Sequence, residues 1–340
     1  MTEVTETELY SADVLPKDLR TQAELVCAAA YSADGVEPLA EQAQELIRDE
    51  FTDGLWHSWV LDAGKLVAYG NVDARRIPAI ELVVHPLYRR QQYGTAILAS
   101  LLQHLSDAAA KVPDKHIPDT LDPRPMVWSH GDLPAAQQLA QKFGLERTRE
   151  LLKMHCPVAD LVVNLPDLPE GIELRTLAEA DSLWGDDELN RWIVEVNNVA
   201  FSWHPEQSGW TVDDVLDHRA QEWFDPQECF VAVDSTSHRL LGFAWTKTHY
   251  PLDETNRPVA GAAPSAGELY LVAVDPSAQG KRIGTVLTSL VLRRLAARGI
   301  PTLILYVEGN NEAALRVYEK SGFTVECCDV AYRYNKPKTA

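Results

Sequence analysis

Residues 267–276 read Gly267-Glu-Leu-Tyr-Leu-Val-Ala-Val-Asp-Pro276, and the chain continues through Gln279-Gly-Lys-Arg-Ile-Gly284 into an apolar segment with Ile283, Leu287, Leu290, Val291 and Leu295. The first part is a buried strand and the last an amphipathic helix. Between them lies a short loop whose backbone N–H groups are gathered at a helix start, the arrangement by which a protein grips a pyrophosphate. The loop is too short for the G-x-x-x-x-G-K-[ST] pattern, and no G-x-G-x-x-G fingerprint is present. Tyr306, Asn311, Tyr318 and Gly322-Phe323 follow, so a second strand and a tyrosine-bearing helix complete the unit.

This loop resembles the acetyl-CoA loop of the GCN5-related N-acetyltransferases, [Gln/Arg]-x-x-Gly-x-[Gly/Ala]. Gln279 and Gly284 fit, and Arg282 stands where the first glycine is expected. With ordinary helical dihedrals, Arg282 would point its side chain to solvent or to phosphate. Lys281 and Arg282 are basic in a chain of net charge −19, at the one place where an anionic cosubstrate needs cations.

Working outward, the same pattern occurs once more. Ile80-Glu-Leu-Val-Val-His-Pro-Leu-Tyr-Arg-Arg-Gln-Gln-Tyr-Gly94 aligns with Tyr270 to Gly284 at a shift of 190, and Phe143-Gly144-Leu145 aligns with Ser321-Gly322-Phe323 at a shift of 178. The difference places an insertion in the Pro- and Asp-rich piece Val112 to Pro125 of the first copy. Two domains are expected, 1–165 and 166–340, divided at the proline-punctuated Val163 to Gly171. Within the second, the pattern predicts a strand at Ile172, a helix near Trp192 to Phe201 and a helix capped by Thr211 and Asp214. Further strands are expected at Cys229–Val233 and Leu240–Lys247. The copies differ in chemistry, because at these shifts Glu268 meets Pro78, Asn311 meets Leu133 and Tyr318 meets Ala140. The reaction is therefore assigned to the second copy.

Composition narrows the function. The acidic balance argues against nucleic acid. Apolar runs are too short to span a bilayer, and Thr2 to Arg20 is too polar for a secretory signal. Cys27, Cys156, Cys229, Cys327 and Cys328 lack metal-ligand or disulfide spacing, so a cytoplasmic, metal-free monomer is expected.

The resemblance extends to a narrower family. His204-Pro-Glu-Gln, Gly209-Trp-Thr, Trp223-Phe-Asp-Pro, Trp245-Thr-Lys, Tyr306-Val-Glu, Asn311, Arg316 and Tyr318 are similar to the mycothiol synthases, as are Asp34-Gly-Val, Glu41-Gln42 and Glu81-Leu-Val-Val-His-Pro. The resemblance implies an α/β (α+β) fold of two tandem acetyltransferase domains, each a mixed, mostly antiparallel sheet flanked by helices. It implies acetyl transfer from acetyl-CoA to the cysteinyl amine of a glucosaminyl-inositol. Acetyl-CoA would lie on Val272, Ala273 and Val274, on Gln279, Gly280, Lys281, Arg282, Ile283, Gly284 and Thr285, and on Asn311, Glu312, Ala313, Ala314, Leu315 and Arg316. A second acetyl-CoA site, in a non-catalytic first domain, would use Leu82, Val83, Val84, Arg89, Arg90, Gln91, Gln92, Tyr93 and Gly94. Glu41, Glu206, Lys247, Glu268 and Tyr306 would contact the acceptor.

The chemistry needs a base for the amine, and Glu268 beside the loop suits it. The departing thiolate needs a proton or a donor, which Tyr318 can supply. Other readings compete: Glu268 as a solvated strand end, Tyr318 as a core-edge tyrosine, Asn311 as a helix cap, Tyr306 packed on its strand, and Lys247 as a surface strand end. Acetylation of another amine, or a non-catalytic acyl-CoA sensor, are the alternative functions.

Overall fold

The computed structural model describes residues 7–48, 50, 53–111, 124–204, 207–251 and 259–334. Most of the insertion expected at 112–125, and Glu206, lie outside these residues. In chain order the elements are β1 (Thr7–Ala12), α1 (Lys17–Asp34), α2 (Glu41–Glu45), β2 (Leu55–Asp62), β3 (Lys65–Asp73), β4 (Ala79–Val84), α3 (Tyr93–Lys111), β5 (Met126–Ser129), α4 (Pro134–Lys142) and β6 (Leu145–Pro157). Then come β7 (Ile172–Thr176), α5 (Leu177–Trp184), α6 (Asp186–Ala200), α7 (Val212–Arg219), β8 (Phe230–Asp234), β9 (Leu240–His249), β10 (Ala266–Val274), α8 (Ile283–Ala297), β11 (Thr302–Glu308), α9 (Glu312–Lys320) and β12 (Thr324–Tyr334).

The chain forms two compact units, one running to Leu151 and resuming at Cys327, the other Leu152–Glu326. In the first, strands follow the order β1-β2-β3-β4-β5-β12; in the second, β6-β11-β10-β9-β8-β7. The first unit is thus discontinuous in sequence, because Val330–Tyr332 of β12 pair antiparallel with Val127–Ser129 of β5. Both sheets are mixed: β4–β5 and β10–β11 are parallel, whereas β3–β4 and β9–β10 are antiparallel.

Each sheet is covered on both faces, as strands with apolar residues on two sides require. In the second unit, Ile283, Leu287, Val291, Leu292 and Leu295 of α8 pack on Leu269, Leu303 and Leu305. The opposite face carries Val231, Val233, Phe243, Trp245, Leu271 and Ala273 beneath Leu189, Ile193 and Val196 of α6 and Val215 of α7. Each fully buried side chain of this size contributes about 1.5–3 kcal/mol. Helix α6 starts at Asp186, well ahead of the expected Trp192, because Asp186, Asp187 and Glu188 favour a helix N-terminus. Thr211 and Asp214 form the expected reciprocal cap of α7. The two helix-facing glycines Gly242 and Gly70 let the sheet backbone come close: a Cβ would stand 2.7 Å from the Ala273 carbonyl oxygen in one case and 2.9 Å from that of Glu81 in the other.

A bulge separates the two copies. β10 shifts register between Leu269 and Leu271, whereas β4 pairs with β3 without a shift. The extra residue moves the alignment by one ahead of it, so the partner of Glu268 is Ala79, not Pro78: Glu268 lies opposite Ile304 and Ala79 opposite Met126 in the parallel ladders. The first copy still lacks the carboxylate there.

Candidate active site

The phosphate-side loop of the second unit is built from the strand outward. Asp275 accepts a hydrogen bond from the Ser277 N–H at 2.8 Å and pairs with Arg239, pinning the turn at Pro276–Ala278. Burial works to raise the Asp275 carboxyl, and Ser277 and Arg239 outweigh it, holding the group below its usual range. Gly280 then has φ 80° and Arg282 φ 60°, ψ 16°, immediately before α8. Arg282 is therefore left-handed, not helical as its sequence context suggested. A non-glycine residue is held where glycine is the cheap choice, at about 1–2 kcal/mol. No side chain caps α8. The N–H groups of Ile283, Gly284 and Thr285, which a helix start leaves without intrahelical acceptors, open toward the loop. Backbone turned through left-handed positions in this way forms an anion-binding concavity.

The first unit repeats this loop geometry with different residues. Arg90 has φ 65° and Gln92 φ 68°, at the positions of Gly280 and Arg282. The side chains there are engaged: Arg89 forks onto Asp34 at 2.8 and 2.6 Å, Arg90 donates to Gln138 at 2.8 Å, and Lys142 donates to Gln92 at 2.6 Å. This loop offers its backbone more than its guanidinium groups.

Beyond the loop, the β10–β11 ladder is short. Gly267–Leu269 pair with Leu303–Leu305, although β10 runs on to Val274 and β11 to Glu308. The strands separate just where the bulge lies. Facing backbone groups of the separated segments can pair with an extended amide chain laid between them as an added strand.

The face of the sheet turned from α8 gathers the polar side chains. Glu268 lies opposite Lys247 across the β9–β10 ladder, and His249 is two residues on from Lys247, so all three share one face. Glu268 is only 6% exposed and accepts a hydrogen bond from His249 Nε2 at 2.7 Å. That burial rules out the solvated strand end. Lys247 is 7% exposed, its Nζ 5.3 Å from the Trp223 ring centroid and 6.0 Å from that of Tyr270. It is not a surface strand end either. On β11, Tyr306 and Glu308 project to the same side; Tyr306 is 43% exposed and Glu308 is buried near His204, Nε2 to Oε1 being 3.6 Å. The core of β11 is carried by Leu303, Leu305 and Val307.

Tyr318 lies on the other face. It packs against the α8-side cluster, its ring 6.2 Å from that of Phe323, and burial pushes its hydroxyl up to about 12. The core-edge reading thus describes its packing. Asn311 caps α9, accepting from the Ala314 N–H at 3.1 Å. Glu41 opens α2 in the first unit, one residue after Ala40, whose N–H donates to the buried Glu81 at 2.6 Å.

His249 and Tyr270 were given no site role from the sequence, and Trp223, His204 and Glu308 stood in the motifs quoted above without an assigned role. For His249 a signal existed: the period-two alternation Phe243, Trp245, Lys247 reaches it at the next step.

Comparison with known proteins places this geometry. The acetyltransferase (GNAT) family model matches residues 22–112 and again 193–323. The chain is 39% identical over 309 residues to the mycothiol acetyltransferase of Rhodococcus jostii, covering 89% of this chain and 90% of that protein. To the mycothiol acetyltransferase of Gordonia bronchialis it is 40% identical over 317 residues, covering 92% and 90%. Among solved structures, a GCN5-related N-acetyltransferase from Sphaerobacter thermophilus superposes with a TM-score of 0.69 at 22% identity, covering 96% of this chain and 95% of that one. A tandem GNAT protein from the clavulanic acid biosynthesis pathway gives 0.66 at 16% identity, covering 96% and 98%. Those two establish the fold alone. No helix among the described residues is long and apolar enough to cross a membrane. With a family model matched twice and relatives alike over nearly their whole length, the chain belongs to the acetyltransferase (GNAT) family, in tandem form, and within it to the mycothiol acetyltransferases.

Proposed function

We propose that the second unit transfers acetyl from acetyl-CoA to the cysteinyl amine of a cysteinyl glucosaminyl-inositol, giving mycothiol. The observation that carries the reading is the separation of β10 from β11 between an anion-binding loop and a buried carboxylate. Acetyl-CoA would set its pyrophosphate on the N–H groups of 279–285 and its amide arm along Val272–Val274, with Asn311–Arg316 beside it. The thioester would then reach the gap between the strands. Glu206, outside the described residues, and Glu41, at the start of α2, belong to the same proposal as acceptor contacts. The first unit, without a counterpart of Glu268, serves as a non-catalytic domain whose loop backbone suits a second acetyl-CoA.

The steps follow from the side chains. Glu268 takes a proton from the acceptor ammonium, the freed amine attacks the thioester carbon, and a β10 N–H beyond Leu269 stabilises the oxyanion, a contribution of about 3 kcal/mol. The C–S bond then breaks, the acetylated nitrogen gives its second proton to the departing sulfur, and Tyr318 of α9 would donate a hydrogen bond to that sulfur. With its pKa pushed up to about 12, Tyr318 stays protonated at neutral pH. A thiol ionises near ~8.5, so Tyr318 assists as a donor more than by full proton transfer. Lys247, Tyr306 and Glu206 offer mixed donors and acceptors for hydroxyl groups, and an acceptor that leaves such groups unpaired loses about 1–3 kcal/mol for each.

Product analysis by mass spectrometry, with acetyl-CoA and a panel of amines, tests the acceptor. The cysteinyl glucosaminyl-inositol should be acetylated with far higher kcat/KM than free cysteine or an aminoglycoside; the reverse order would leave only the acetyltransferase reading standing. Glu268→Gln should collapse turnover with little change in acetyl-CoA affinity, while Arg90→Ala in the first unit should leave turnover nearly intact.

A further inference from the structure

The buried carboxylate of Glu268 has a partner that the transfer chemistry above does not use. His249 comes from the neighbouring strand, opposite Ala266 in the ladder, and its Nε2 meets Glu268 Oε2 at 2.7 Å. The histidine side chain keeps 30% of its surface in solvent, while that of Glu268 keeps 8%. A carboxylate withdrawn this far from water needs a donor to hold it in one orientation. Because the carboxylate only accepts, Nε2 carries the hydrogen and Nδ1 is left to face away from it. One oxygen is thereby engaged, and Oε1 is the one left to receive a proton from the acceptor.

We propose that His249 is the positioning residue of the base: it fixes the Glu268 carboxylate through Oε2 so that Oε1 meets the acceptor amine. This rests on the reading of Glu268 as the base. The proton moves from the acceptor ammonium to Oε1, and none passes through the imidazole.

Several other charged or titratable groups face this pair among the described residues. Lys247 of β9 lies directly opposite Glu268, Tyr270 is on β10, and Tyr306 and Glu308 are on β11. His204 sits against Glu308, and His218 of α7 packs on Tyr270. Among the described residues it is His249 that is hydrogen-bonded to Glu268, so a change confined to the imidazole should be readable over the others.

The test uses the full-length protein with acetyl-CoA and the cysteinyl glucosaminyl-inositol, comparing wild type with His249→Ala, His249→Gln, His249→Leu and Glu268→Gln. His249→Ala should lower kcat by roughly 10- to 100-fold, part of the 10²–10⁴ that a positioned base contributes, with the KM for acetyl-CoA unchanged. His249→Gln keeps a neutral N–H donor at the same reach and should recover most of that loss. Wild-type turnover in His249→Ala would overturn the proposal while a collapsed Glu268→Gln left the base standing. Should His249→Ala fail to bind acetyl-CoA, His249→Gln decides against His249→Leu: equal kcat in these two variants, with acetyl-CoA binding intact, overturns the proposal. Wild-type turnover in Glu268→Gln would remove the base itself, and the role of His249 with it.

Discussion

Replacing Arg282 by glycine separates the two things this residue does. Its backbone holds φ 60° and ψ 16°, and its side chain places a cation at the start of α8. Glycine relieves about 1–2 kcal/mol of left-handed strain, and its looser unfolded chain returns about 0.5–1 kcal/mol. The free protein should therefore be as stable or more stable, by about 0–1.5 kcal/mol, which corresponds to a Tm rise of roughly 0–5 °C for a unit of this size. Affinity should move the other way. An exposed guanidinium beside phosphate is worth about 0.5–1 kcal/mol, so Kd for acetyl-CoA should rise roughly 2- to 5-fold. Arg282→Ala is the control, since it loses the cation and keeps the strained backbone: its affinity should match the glycine variant and its Tm should fall below it. Thermal melting of the free protein and calorimetric titration with acetyl-CoA measure both quantities. A glycine variant less stable than the alanine variant would refute the strain, and unchanged affinity in both would remove the cation from the phosphate.

Other consequences are as direct. Tyr318→Phe should slow turnover by about 10²-fold; because the phenol is pushed up to about 12, the loss should be uniform through the neutral range in stopped-flow or steady-state assays, and an unchanged rate would return Tyr318 to the core alone. Lys247→Ala should raise the KM for the acceptor more than that for acetyl-CoA, and equal changes in steady-state kinetics would place it outside the acceptor site. In the first unit, His130 lies between Glu81 at 3.1 Å and Asp329 at 3.0 Å; burial would lower its pKa, but the two carboxylates push it up to about 10. A histidine raised on folding stabilises most below the unfolded value of about 6.5 and loses that contribution as pH climbs to about 10. Urea titrations should therefore show the wild type weakening over that window and His130→Ala weakening less, with about 3–5 kcal/mol separating them at pH 6. A constant difference across the window would break the linkage.

The sequence displayed the repeat, the strand–loop–helix unit and its anion-binding loop, because each is encoded over a few neighbouring residues. Helix caps such as Thr211–Asp214 are local in the same sense. The αL backbone of Arg282 was not legible, since φ at one position is set by the strand and helix on either side, and an arginine carries no mark of it. Nor was the bulge beyond Leu269, which depends on the register of β10 against β9 and shifted the partner of Glu268 from Pro78 to Ala79. Burial decided between competing roles: Glu268 and Lys247 are ambiguous as letters and unambiguous at 6% and 7% exposure. His249 was hidden for a related reason. Its bond to Glu268 joins residues nineteen apart through a cross-strand register that no local motif announces.

The completion of the first unit by β12 has a consequence for the order of events on the ribosome. Val330–Tyr332 must be made before β5 acquires its antiparallel neighbour. At about 5–20 residues per second, roughly 10–40 s pass between the emergence of Ser129 and that of Tyr334. Throughout that interval β5 is an unfinished edge, open to pairing with another nascent chain. Truncation at the carboxyl terminus would therefore wound the amino-terminal half first, and a chaperone that shelters β5 would shorten the time in which the protein is most exposed to aggregation.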